Sequence, residues 1–324
     1  MKTIAQLLLL GCLTVVGLGA PPADAQTYPT RPVRLVVPYP PGTATDVLAR
    51  TVADKLRDAW GQAVVVENQP GANGTIATAS VARAAPDGYT LIMIAANHVI
   101  NASLYKSLPY DGLKDFRPIA RIGNAAFVLC VNPSVPVKSV GELVSLAKQQ
   151  PGKVNYSSPG NGSPGHLGME MLKSMSGTNL VHVPYKGAAQ ATTDLIGGQV
   201  QAGFVVESTA IPHIKEGRLK ALAISSATRS AKLPDLPTIA EAGYPSFDVV
   251  SWIGLVGPAQ IPADVVDKIS AEVIKIVNTP EVRDRIVGIG LTPFPAPATE
   301  FAAYMKIEHQ KWAKAVKDSG ATLD

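Results

Sequence analysis

The sequence predicts an α/β protein of two lobes, on three observations. Short β-branched runs alternate with amphipathic helical stretches along most of the chain, which is the pattern of parallel strands joined by crossover helices. This alternation occurs twice, once before and once after a stretch rich in Pro and Gly near residues 109–124. The turn Val37-Pro38-Tyr39, leading through Gly42 and Thr45 to Asp46, is echoed by Val183-Pro184-Tyr185, leading through Gly187 and Thr193 to Asp194. At roughly 100–200 residues per domain, 324 residues leave room for two such units.

The first feature along the chain is a leader. Met1-Lys2 is followed by an uncharged apolar stretch over residues 4–20, then Pro21-Pro22 and the A-x-A site Ala23-Asp24-Ala25 ahead of Gln26. This is the layout of a cleavable secretory signal over residues 1–25. An uncleaved anchor and a lipobox reading of Leu9-Leu10-Gly11-Cys12 are the alternatives; the apolar run continues past Cys12, which disfavours the second. Cleavage leaves Cys130 alone, so the mature chain has no internal disulfide.

Next come a strand at 34–38, a helix at 45–60 with Val47, Leu48, Val52 and Leu56 on one side, a strand at 64–67, a helix at 72–85 and a strand at 89–95. The second run begins with a strand at 126–131, a helix at 139–150, a strand at 154–157, a helix at 164–175, a strand at 180–183 and a helix at 188–196. A strand at 202–206, a helix at 209–216 and a strand at 221–225 complete it. A strand at 252–256 and helices at 263–278, 280–287 and 299–319 follow. Pro and Gly clusters near 109–124 and 233–248 are the candidate crossovers between lobes. The expected division is 26–124 in lobe one, 125–240 in lobe two, and 241–324 returning to lobe one with the C-terminal helices.

Composition excludes several functions. An apolar fraction of 46% with 17% charged residues is that of a folded chain. The 29 basic and 25 acidic residues are scattered and sum to +4, which does not describe a nucleic-acid binder. His98, His166, His182, His213 and His309 show no metal-ligand spacing, and no cofactor is expected.

Ligands of open α/β sheets bind beyond the carboxyl ends of the strands. Three stretches fall there. Tyr39 to Asp46 opens a helix whose free amides suit an anion, with Asp46 either in the site or complementing the helix end. Ser157 to His166 lies between a strand and a helix; its glycines allow close approach and its serines supply hydroxyls. Residues 160–165 spell G-x-G-x-x-G, but the next strand ends in Val181-His182-Val183 with no acidic residue for a ribose, so a dinucleotide is rejected. Val183 to Ala188 carries Lys186, either an anion-attracting group or a solvated lysine. Ser163 and His166 share a helical face, but no G-x-S-x-G elbow is present to make Ser163 a hydrolase nucleophile.

These stretches, in this order, resemble the solute receptors of the tripartite tricarboxylate transporters, the Bug family. The resemblance covers nearly all of the mature chain. It rests on Arg31-Pro32-Val33-Arg34, Val37-Pro38-Tyr39-Pro40-Pro41-Gly42, Val66-Glu67-Asn68-Gln69-Pro70-Gly71-Ala72 with Gly74, and Pro86-Asp87-Gly88-Tyr89-Thr90-Leu91. It continues through residues 160–167, Val183-Pro184-Tyr185-Lys186-Gly187, residues 194–200, residues 233–238, Glu241-Ala242-Gly243 and Trp252-Ile253-Gly254-Leu255.

The resemblance implies a periplasmic, Venus-flytrap clamshell, each lobe a mostly parallel sheet flanked by helices. It implies a small organic carboxylate in the interlobe cleft, delivered to an inner-membrane tripartite tricarboxylate permease, and a monomer without catalysis. The implied ligand contacts are Tyr39, Gly42, Thr43 and Asp46 in lobe one, and Ser158, Gly160, Gly162, Ser163, His166 and Tyr185 in lobe two. Val205 stands where the family often has an Asp that helps select the ligand, which disfavours an amino-acid ligand. Thr43-Ala44-Thr45-Asp46 likewise stands where two glycines often precede Thr-Asp. Four to six hydrogen bonds to an anion, at roughly 1.5–3 kcal/mol each, supply the about 8 kcal/mol of a micromolar complex after ordering costs. Gly162 is expected on the cleft surface, where an added side chain blocks the ligand without unfolding the protein. An exported hydrolase using Ser163 and a ligand sensor for a signalling partner are the alternative functions.

Overall fold

A computed structural model describes residues 28–323; the expected signal peptide and its cleavage site lie outside the described residues. The N-terminal part contains β1 (Val33–Val37), α1 (Ala44–Trp60), β2 (Val64–Asn68), α2 (Thr75–Ala82), β3 (Thr90–Ala95) and α3 (Asn97–Leu104). Thr43 caps α1 at its start and left-handed Gly61 ends it, while Leu48, Val52 and Leu56 are buried at helical spacing. β4 (Phe116–Val131) follows, then α4 (Val140–Gln149), β5 (Asn155–Ser158), α5 (Pro164–Ser176), β6 (Val181–Pro184) and α6 (Ala188–Ile196). The rest is β7 (Ala202–Val206), α7 (Glu207–Lys215), β8 (Lys220–Ile224), β9 (Val250–Pro258), α8 (Ala263–Val277), α9 (Pro280–Gly288), β10 (Thr292–Pro297) and α10 (Ala298–Ser319).

All ten strands join one sheet in the order β2-β1-β3-β9-β4-β7-β5-β6, with β8 and β10 also paired to β4. The parallel pairing expected from the alternation is found in β2-β1-β3 and in β6-β5-β7. Between these wings every pair is antiparallel. β4 serves both halves. Its residues 116–126 pair with β9, and Phe127–Val131 pairs with β7 and β8. The seam between the halves therefore falls between Ala126 and Phe127, where β9 begins opposite Ala126.

Four local expectations are corrected. Residues 116–124 are strand, the first part of β4, which itself carries the chain across the seam; Pro118 sits at a register shift, where a missing amide is tolerated. The single helix expected at 72–85 is a short 3-10 turn, Ala72–Gly74, followed by α2. α3 and β10 were not expected. β10 carries Pro293, Pro295 and Pro297 and survives as a strand because it pairs on one side only, with β4.

α8 and α9 pack against α1, β4 and β10 on the N-terminal half. α10 lies across the seam, against α3 and β4 on one side and α5 on the other, so this helix is shared rather than held by lobe one alone. One apolar cluster runs accordingly through both halves, from Ile94 through Phe127, Tyr156 and Leu167 to Trp252, Phe301 and Trp312. Within it Glu308, 1% exposed, accepts from the indoles of Trp252 (3.1 Å) and Trp312 (2.9 Å), and Lys311 pairs with its other oxygen.

Candidate functional site

Strand register brings the carboxyl ends of the two parallel wings to the same place. Ala95, the end of β3, lies opposite Ile253, which lies opposite Gly123, just short of the seam. Val206, the end of β7, lies opposite Phe127, just past it. The loops after β1, β2 and β3 therefore face those after β5, β6 and β7 across the seam. Six helices, α1 to α3 and α5 to α7, follow these loops in the chain. Helix amino ends favour negative charge.

Loop one, residues 38–45, is organised by Asp46. Asp46 is 2% exposed and accepts from the Gly42 amide (2.8 Å), from Asn68 (2.8 Å) and from Arg50 (3.2 Å). Asn68 also donates to the Tyr39 carbonyl at 3.1 Å. Burial pushes the Asp46 carboxyl up, but Arg50, the Gly42 amide and Asn68 together hold it below its ordinary value. Thr43 caps α1 by accepting from the Asp46 amide. Asp46 is thus placed as the keystone of the loop, both oxygens engaged by protein. Tyr39 is half-buried, and burial first and Tyr110 second push its hydroxyl up against an opposing Ala95 backbone hydrogen bond.

Sequence reasoning missed the asparagines beside this loop. Ala72 and Asn73 both adopt positive φ, 44° and 54°, an uncommon state for residues other than glycine. Asn73 donates to Asn101 at 2.7 Å and accepts from Asn97 at 3.0 Å, and Asn101 returns a bond to the Asn73 carbonyl at 3.1 Å. The strained turn is therefore over-determined by amides from α3. The Pro70-Gly71 step and Asn73 were its only sequence signal.

Loop two, residues 159–163, is organised without a carboxylate. Ser163 is the cap of α5, accepting from the His166 amide (3.3 Å) and donating to the Gly160 carbonyl (2.8 Å). The Gly162 amide donates to His166 Nδ1 at 3.1 Å. Gly160 donates to Ser158 Oγ at 3.2 Å, and Ser158 Oγ lies 2.6 Å from His182 Nε2. Burial, helped by Lys173, moves His166 down against the opposing charge of Glu170, and burial with His166 and Lys173 brings His182 to about 4. Both rings are neutral near pH 7. Ser163 has no imidazole acceptor, and Ser158, which does face one, is 1% exposed. Neither serine is arranged as an accessible nucleophile.

Gly162 departs from expectation. It is buried, not on the cleft surface: a Cβ there would lie 2.3 Å from Leu104 Cδ1 at the end of α3, and its φ is +72°. The two halves touch at this point. They touch again where Ser208, at the start of α7, lies against Gly290, between α9 and β10.

The Tyr185 amide donates to the Ser158 carbonyl at 3.0 Å, which joins the third stretch to loop two. Burial and then a hydrogen bond to Asp194 raise the Tyr185 hydroxyl. Val205 is 5% exposed and lines a cavity of about 30 Å³ with Phe127, Ser157, Pro159, Ala191 and Thr192. No charged side chain lines that cavity. Among the described residues no group of three His, Cys, Asp or Glu side chains could hold a metal ion, and no helix is long and apolar enough to cross a membrane.

Residues 48–321 match the family model described as the tripartite tricarboxylate transporter family receptor. Protein BugT of Bordetella pertussis is 36% identical over 313 residues, 96% of each chain. Among solved structures, R. palustris Rpa4515 with adipate is 35% identical with a TM-score of 0.78, over 91% of this chain and 100% of that one. MatC (Rpa3494) from Rhodopseudomonas palustris with bound malate is 32% identical with a TM-score of 0.74, over 89% and 100%.

Proposed function

The chain belongs to the tripartite tricarboxylate transporter receptor family, and from that premise we propose that it is a periplasmic receptor that captures a small organic carboxylate at the seam and delivers it to the membrane permease. The observation that carries this reading is the convergence of both sets of parallel strand ends on one line across the sheet. Adipate and malate in the two R. palustris relatives support a carboxylate ligand. The parts that move are the lobes 26–124 with 241–324 and 125–240, hinged on β4 and β9, with α10 bridging their back. The protein acts as a monomer, after removal of its leader, and carries out no catalysis.

Tyr39, Gly42, Thr43 and Asp46 form one jaw of the site, and Ser158, Gly160, Gly162, Ser163, His166 and Tyr185 form the other. Much of this set shapes the loops from behind. The uncharged cavity beside Val205 receives the part of the ligand remote from its carboxylate.

Two measurements test the reading. Small molecules released from the purified protein are identified by mass spectrometry, and a panel of mono- and dicarboxylates, sugars and amines is screened by thermal shift. A carboxylate at about 100 times its dissociation constant should add roughly 2.7 kcal/mol. Stabilisation by sugars or amines alone overturns the assignment.

A further inference from the structure

Beneath loop two His166 packs on a second imidazole, His182, to which the proposed function gives no part. His182 of β6 stacks on His166 of α5 with centroids 3.9 Å apart and planes 16° apart. Tyr156 of β5 lies beside this pair, its ring 4.9 Å from His182 and 6.4 Å from His166, with planes within 20° of both. The Tyr156 hydroxyl donates to Glu170, which also takes the Lys173 ammonium at 2.6 Å. The titratable groups around the imidazole pair are thus Tyr156, Glu170 and Lys173.

Loop two is wired to this pair by hydrogen bonds. His182 Nε2 is hydrogen-bonded to Ser158 Oγ, which takes the Gly160 amide and lies 3.1 Å from the Gly160 carbonyl. The Gly160 carbonyl takes the Ser163 hydroxyl, whose oxygen takes the His166 amide. His166 Nδ1 in turn takes the Gly162 amide. Because the Gly162 amide donates to Nδ1, a neutral His166 carries its proton on Nε2. Every donor in this network is spent inward. The amides of Asn161 and Gly165 take no part in it.

We propose that His182 is the positioning residue of loop two: through its hydrogen bond with Ser158 and its stack on His166 it holds both ends of this network in place, and so decides which amides of the loop are left for the carboxylate. This rests on the receptor reading above. An imidazolium at His182 can only donate at Nε2, which confines the Ser158 hydroxyl to the Gly160 carbonyl, 3.1 Å away, in competition with Ser163. An imidazolium at His166 has no lone pair on Nδ1 for Gly162. Two imidazolium rings at the observed spacing repel.

The test uses two variants of the full mature chain. His182→Phe keeps a ring for stacking and removes the acceptor; His182→Gln restores an acceptor without the ring. Hydrogen exchange of the peptide spanning residues 158–166 reads loop order without any ligand. Affinity for adipate and malate, and for the best carboxylate of the panel, is followed by calorimetry between pH 8 and pH 5. The phenylalanine variant should unfold cooperatively yet exchange the Gly160 and Gly162 amides faster and bind about tenfold more weakly, roughly one hydrogen bond to a charged site. Glutamine should recover some of that loss. Wild-type affinity should fall toward pH 5, and the phenylalanine variant should lose much of this dependence. Unchanged exchange in a folded His182→Phe protein overturns the positioning role. If the wild type binds no carboxylate, the receptor reading fails, and the exchange data still decide the role of His182.

Discussion

The two strand-to-helix turns that face each other across the seam are built from different chemistry. Loop one is tied by a buried carboxylate that gathers a backbone amide, an asparagine and an arginine. Loop two is tied by hydroxyls and neutral imidazoles, with its nearest ion pair, Lys173–Glu170, set back on α5. The Val-Pro-Tyr echo that relates them in sequence therefore fixes where each turn sits, not how it is held. A charged tie is costly to cut and survives mild acid. A neutral tie is cheaper to cut, and acid reaches it first.

The comparison breaks most visibly at Asp46. Asp46→Ala strands the Gly42 amide, Asn68 and Arg50 together. Because Arg50 is half-exposed and can turn to water, the expected loss is about 3 kcal/mol of folding stability rather than the upper end for a buried pair. Urea unfolding measures it; a loss comparable to that of a simple helix cap contradicts the keystone role.

Gly162→Val comes next, at roughly 2 kcal/mol, from strained backbone and collision with Leu104. Shortening the obstacle in the double variant with Leu104→Ala should give a smaller loss than the two single effects added. Strict additivity would mean that the clash is not the cause.

The difference in acid response follows from the signs of the shifts. His182 is lowered from 6.5 to about 4, and His166 is lowered too. The unfolded chain takes up these protons first, so the stability loop two confers is complete above about pH 6.5 and drains away toward pH 4. Water screening keeps the gradient below the about 1.4 kcal/mol per pH unit that one proton can contribute. Asp46 is lowered from 3.8, so its contribution persists through that window and is lost only as pH falls through its depressed value. Unfolding curves at pH 7.5, 6 and 5 should show falling stability while Asp46→Ala costs the same at each pH. A flat wild-type profile removes the distinction.

Ser163→Ala is the smallest change. A cap costs about 1 kcal/mol of folding stability, whereas a hydroxyl on the anion would cost roughly 1.5–3 kcal/mol of affinity. The observed bonds to Gly160 and His166 favour the first. Measuring stability and carboxylate affinity on the same protein separates them.

What was legible in the sequence was local. The Thr43 cap, the Ser163 cap and the alternation of strands and helices each depend on residues a few places apart, where spacing carries the physics. What was hidden depends on neighbours far apart in the chain. β10 reads as a proline-rich loop until β4 supplies its single partner strand. Pro118 and Gly123 punctuate residues 116–124 and mark a crossing between the halves, but only pairing with β9 makes that crossing a strand. Gly162 looks like an open turn; the side chain that buries it belongs to α3. His182 is one residue in a Val-His-Val strand, and nothing nearby announces the rings that pack around it.

The carboxylate of Glu308, shared by Trp252 and Trp312, has an optical consequence. Of the three tryptophans, Trp60 stands apart at the end of α1 against Tyr28, while the other two are joined where β9 leaves the seam beneath α10. An indole's emission responds to the charges beside it, and here these are the Glu308–Lys311 pair on α10. A shift of β9 against α10 would move Trp252 relative to that pair, so unlabelled tryptophan emission, with and without a carboxylate, reads whether the proposed hinge moves β9.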